Sequence, residues 1–95
     1  MPKERSFAGV DEEIWDCLRE TTTQEHGTVY SFDTAGDPTA GTATTKVAVI
    51  GDIVLRFQLD TVKDTLNYTI QQKPLIVRDD QIWGGIQESI DHCRN

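Results

Sequence analysis

Ile53, Leu55, Phe57 and Leu59 alternate with Val54, Arg56, Gln58 and Asp60. A period of two is the signature of a strand with one face buried. Leu66, Tyr68 and Ile70 repeat the pattern against Thr65, Asn67, Thr69 and Gln71. Only Thr61 to Asp64 separates the two runs, so the strands must be antiparallel neighbours. Their common apolar face requires a cover, and the polar face can stay wet. Upstream, Thr42 to Ile50 is rich in β-branched residues and reads as a third strand. Gly51-Asp52 fits a two-residue hairpin turn between it and the next run. Thr28 to Phe32 is a fourth, short β-prone segment, its place in the sheet left open.

Two helical stripes flank this block. Val10, Ile14, Cys17, Leu18 and Thr21 lie on one side of a helix over residues 10–21. Asp11, Glu12 and Glu13 suit its first turn, and Gly27 supplies a stop. Ile82, Trp83, Ile86, Ile90 and Cys93 form the stripe of a second helix over 80–93, with Asp79 as its expected N-cap. Gly84-Gly85 inside that helix costs about 1 kcal/mol per glycine relative to alanine. Such a pair suggests a close backbone approach. Both helices open on acids followed by Ile-Trp, at Ile14-Trp15 and Ile82-Trp83.

The expected fold is therefore α+β, a two-layer sandwich. An antiparallel sheet of about four strands packs against an N-terminal and a C-terminal helix, in the order α-β-β-β-β-α. The 95 residues suit one small domain. Residues 1–6 are charged and aperiodic and are expected to fray. Residues 33–41, punctuated by Gly36-Asp37-Pro38 and Gly41, are expected to be a mobile loop.

The formal charge of −7 argues against nucleic acid and anionic membranes as partners. No apolar run reaches the length of a membrane span, and no apolar segment follows the basic N-terminal residues. The expected location is cytoplasmic, with Cys17 and Cys93 reduced and packed as small hydrophobes.

Chemistry-bearing motifs are lacking. Cys17, His26, His92 and Cys93 equal a structural zinc set in number, but their spacing does not suit a metal. Cys93, beside His92 and Arg94, is the better of two poor nucleophile candidates. The acids at Asp11, Glu12, Glu13, Asp16, Asp79 and Asp80 read as helix-start and solvating charges. The glycines match no phosphate-binding pattern, and Asn67-Tyr68-Thr69 reads as a coincidental glycosylation sequon in a strand. No catalytic residue, metal or cofactor is expected.

Two surfaces remain as candidate sites. Trp15, Phe32, Phe57, Tyr68 and Trp83 could line an apolar pocket between sheet and helices. Arg56, Gln58, Thr65, Asn67, Thr69 and Gln71 could form a docking face on the outer side of the sheet. The leading expectation is a non-enzymatic protein-interaction module, inhibitor- or immunity-like, acting as a monomer or weak homodimer. The alternative is a carrier of a small apolar ligand.

Overall fold

The computed structural model describes residues 3–94. The elements are β1 (Glu4–Ala8), α1 (Glu12–His26), β2 (Val29–Thr34), β3 (Asp37–Val47), β4 (Gly51–Asp60), β5 (Thr65–Gln72) and α2 (Asp79–Arg94). All five strands join one antiparallel sheet in the order β1-β5-β4-β3-β2. Both helices pack on one face of it. Val10, Trp15 and Leu18 meet Ile82, Trp83 and Ile90 there, over Leu55, Phe57, Leu59, Leu66, Tyr68 and Ile70. The α+β sandwich with a helix near each end of the chain is thus the fold, with one strand more than expected.

The extra strand is β1, which takes in Glu4, Arg5 and Ser6 of the segment expected to fray. Of that segment, residues 1 and 2 lie outside the described residues. Phe7 is the only large apolar side chain of β1, and it is buried opposite Leu66. An edge strand that contributes one inward residue leaves no period to read. Its pairing is extended by Ile70 N–H, which donates to Lys3 O at 2.7 Å.

Residues 33–41 are a hairpin, not a loop. β2 and β3 turn tightly through Ala35 and Gly36, and Gly36 takes the positive φ of 82° that the turn requires. Asp37 Oδ1 accepts from Thr39 N–H at 3.0 Å, fixing the start of β3. Gly41 lies within the strand, opposite Phe57. A Cβ there would stand 2.0 Å from Ser31 O, so only glycine lets β2 and β3 approach this closely.

The β3–β4 turn also differs. Val47 pairs with Gly51 and Lys46 with Asp52, so residues 48–50 make the turn and Gly51-Asp52 belong to β4. A turn at 51–52 would have set Lys46 opposite Phe57, on the buried face. The observed register sets Gly41 opposite Phe57 and Ala43 opposite Leu55, small against large, and keeps Lys46 outside. Val49 adopts φ 70° as a result, an uncommon conformation for a β-branched residue.

α1 starts later and runs further than its apolar stripe. Asp11 is its N-cap, with Oδ1 accepting from Ile14 N–H at 2.9 Å. The helix continues through Thr21-Thr22-Thr23, with the Thr22 hydroxyl turned back onto Leu18 O at 2.9 Å. Gly27, at φ 66°, ends it as expected. In α2, Asp79 is the first helical residue rather than the cap, and it pairs with Lys73 Nζ at 3.4 Å. Gln81 Oε1 reaches back to Arg78 N–H at 2.9 Å, one half of a capping box.

The cysteines are not free thiols. Cys17 of α1 and Cys93 of α2 form a disulfide with Cα atoms 5.8 Å apart. Two positions that fall on the apolar stripes of facing helices meet when those helices pack side by side. The expected pair of buried thiols is replaced by a covalent tie between the two helices.

Candidate functional site

The buried face of the sheet carries two groups of aromatic rings. Under β2, β3 and β4, Trp15 packs against Phe57 with centroids 4.9 Å apart. Tyr30 meets both edge-on at 5.8 Å. Trp15 Nε1–H donates to Pro38 O at 2.7 Å, at the strand start where proline has no N–H of its own to offer. Under β1 and β5, Phe7, Tyr68 and Trp83 lie 6.1–6.4 Å apart. Trp83 Nε1 is buried there with no acceptor among the described residues.

Between the two groups lies a cavity of about 250 Å³. Its floor is formed by Tyr30, Ala43, Leu55 and Tyr68 of the sheet. Thr22 and His26 of α1 form one wall, and Ile82, Gly85, Ile86 and Ser89 of α2 the other. The lining is mainly apolar, and it opens beside the exposed His26 and Gln81. Gly85 accounts for part of the space: a Cβ there meets nothing within 4 Å. The same is true at Gly84. The glycine pair therefore does not mark a close backbone approach; of the two, Gly85 borders the cavity.

The polar groups of the cavity are mostly engaged with one another. Thr22 Oγ1–H donates to Leu18 O, so the Tyr30 hydroxyl, 2.6 Å from Thr22 Oγ1, is the donor of that bond. Thr28 and Thr45 hydroxyls bond to each other at 2.7 Å. Ser89 Oγ–H donates to Gly85 O at 3.2 Å. Tyr68 differs: it is 3% exposed, and its hydroxyl makes no hydrogen bond among the described residues. Burial holds its pKa well above the ordinary phenol value, and the nearby Tyr30 phenol pushes it the same way. Burial also raises the Tyr30 pKa, opposed in part by the Thr22 hydrogen bond and the Arg19 charge.

Of the five expected pocket residues, Tyr68 alone lines this cavity. Trp15, Phe57 and Trp83 are packed within the core. Phe32 is 36% exposed, edge-on to Phe57 and under the Arg19 guanidinium. The reading missed Tyr30, although it shares a strand face with Thr28 and Phe32. It also missed Ala43 and Gly85, whose contribution is the volume they leave empty.

The register places the outer-face residues beside one another. Arg56 pairs with Thr69, Gln58 with Asn67 and Asp60 with Thr65, while Gln71 sits at an irregularity between β4 and β5. Several of these groups are satisfied within the sheet. Arg56 grips Asp33 through both guanidinium nitrogens, which lowers the Asp33 pKa, and Ser6 bonds Asn67. No group of three or more metal-ligating side chains exists among the described residues, and both sulfurs are bonded to each other. Among the described residues, no helix is long and apolar enough to cross a membrane. In comparisons with protein-family models, curated proteins and solved structures, the chain matches none.

Proposed function

We propose that this domain binds a small, largely apolar ligand, without catalysis, in the cavity between its sheet and its two helices. The observation that supports this reading is the 250 Å³ space itself, in a core of few large residues. A concave, mainly apolar space of this kind is where a small apolar ligand gains burial. The volume is below the ~300–1,000 Å³ of drug-sized sites. It exceeds the ~150 Å³ that holds benzene in an engineered protein cavity, so the ligand is a small ring or short chain. Acetophenone serves as the probe, followed by chemical shifts of the cavity resonances. Gly85→Leu fills the space from a position where a Cβ is unopposed and helix propensity rises. Binding by the native chain and none by Gly85→Leu is the expected result. Equal binding by both, or none by the native chain, removes the reading.

Docking on another protein is the second reading. Val49 and Ile50 of the β3–β4 turn and Leu75 and Ile76 after β5 are all exposed. The two segments lie at one end of the sheet, where Gly51 approaches Pro74. This patch supports docking better than the outer sheet face, whose polar groups are partly paired among themselves. A stoichiometric partner captured by the native chain and lost in Leu75→Lys/Ile76→Lys would support it. A partner kept by that variant, or none at all, counts against it. The disulfide speaks for an oxidising setting rather than the cytoplasmic one first expected.

A further inference from the structure

The cavity's hydrogen-bonding groups differ in what they have left to give. Thr22, Tyr30 and Ser89 each spend their hydroxyl proton on a protein oxygen, and of the Thr28 and Thr45 hydroxyls one donates to the other, which keeps its own proton. Tyr68 is the lining hydroxyl that takes part in no hydrogen bond at all among the described residues. Its side chain is as buried as the surrounding core, it lines the cavity, and its proton has no acceptor among the described residues. Its oxygen is not enclosed as Trp83 Nε1 is, so it is reached from the cavity, and an acceptor brought there on a ligand gains a hydrogen bond that the protein does not supply.

The rest of the lining limits what that acceptor can be. No lysine or arginine borders the cavity, and the imidazole of His26 stands at its exposed mouth, away from the buried floor. A carboxylate or phosphate placed on the floor would be desolvated without a counter-charge, a heavy penalty. The net charge of −7 works in the same direction. A neutral oxygen meets no such obstacle.

We infer that the cavity takes an uncharged, mainly apolar molecule bearing a single hydrogen-bond acceptor, such as a carbonyl oxygen, which receives the Tyr68 hydroxyl proton. This rests on the reading of the cavity as the binding site. The apolar body of the ligand lies against Ala43, Leu55 and Ile86, and its oxygen points to β5. Tyr30 has already given its proton to Thr22, so it tolerates the ligand oxygen without anchoring it.

The test compares toluene with acetophenone, which add a methyl and an acetyl group to the same ring. Both are titrated into the native chain, Tyr68→Phe and Tyr30→Phe, with cavity resonances as the readout. Tyr68→Phe removes a hydroxyl that bonds nothing among the described residues, so the fold is expected to persist. In the native chain, acetophenone should bind roughly three- to tenfold more tightly than toluene, the range of one hydrogen bond. That preference should vanish in Tyr68→Phe and survive in Tyr30→Phe. If toluene equals acetophenone in the native chain, or the preference persists in Tyr68→Phe, the cavity stands and the Tyr68 anchor falls. If neither probe moves the cavity resonances, the binding reading falls and the anchor with it.

Discussion

Trp15 and Trp83 begin from the same local sequence, an acidic helix start followed by Ile-Trp, and both end buried on the same sheet face. Their surroundings are not alike. Trp15 hands its indole proton to Pro38 O, and its ring is flanked by Tyr30 and Phe57 in a closed cluster. Trp83 packs against Phe7 and Tyr68, yet its indole nitrogen is buried with no acceptor among the described residues. Tyr68 beside it also keeps an unused proton. Hydrophobic burial alone therefore does not distinguish the two indoles; the hydrogen bond does, although Arg19 Nε over the Trp15 ring is also buried without an acceptor among the described residues. Both groups border the cavity, through Tyr30 and Tyr68, and of these two phenols Tyr68 is the one with no bond for a ligand to compete with.

The largest expected effect comes from cutting the tie between the halves. The disulfide closes a loop of 76 residues in sequence separation and joins the helix of Trp15 to that of Trp83. Chain entropy gives such a crosslink about 4 kcal/mol of stability. Cys17→Ser/Cys93→Ser should therefore unfold at a much lower denaturant midpoint than the oxidised chain, and should match the native chain under reductant. Identical midpoints with and without reductant would show that the two halves hold together through packing alone.

Next in size is a break confined to the closed half. Gly41→Ala would drive a methyl group into the Ser31 carbonyl, beside the ring of Phe57. Strand separation is the only relief, so we expect a loss of about 3 kcal/mol. Gly85→Ala, on the cavity side, meets nothing and should leave stability unchanged or improve it by about 1 kcal/mol. Equal effects from the two substitutions would remove the contrast between a tight half and a loose one.

The contrast was partly legible before any coordinates. Alternation along Ile53–Leu59 and Leu66–Ile70 located β4 and β5 and their buried faces, because a period of two survives whatever packs on it. The helix stripes were equally plain. β1 was not, since Phe7 is its only core residue. The β3–β4 register was not, since Gly51-Asp52 is good turn chemistry overruled by the need to keep Lys46 out of the core. The aromatics were read as pocket walls because large side chains are visible in a sequence. The cavity instead follows from small residues, Ala43 and Gly85, and from the spacing of helices over the sheet. That spacing is a tertiary quantity with no local signature.

A direct measure of the indole difference is smaller. Trp15→Phe strands the Pro38 carbonyl and loses a satisfied donor, whereas Trp83→Phe deletes a donor that was already unpaired. Both open space of similar size, so their difference isolates the hydrogen bond. Trp15→Phe should cost about 1–2 kcal/mol more in chemical denaturation. A larger loss from Trp83→Phe would mean that its ring carries packing the Trp15 cluster does not.

The phenols give the finest distinction, read through their titration. Tyr30 and Tyr68 are the only tyrosines, so phenolate absorbance reports on the cavity floor alone. Both folded pKa values are raised above 10.0, chiefly by burial, and Tyr68 the further of the two. A neutral form favoured by folding stabilises fully below the unfolded pKa, and that contribution is lost as pH climbs through the folded values. At pH 10, where a free phenol is half ionised, the folded chain should show less phenolate than the unfolded chain. Tyr30→Phe should leave one late transition, and Tyr68→Phe one earlier transition. A phenolate signal at pH 10 that survives in Tyr30→Phe would place Tyr68 in water and dissolve the difference between the two halves.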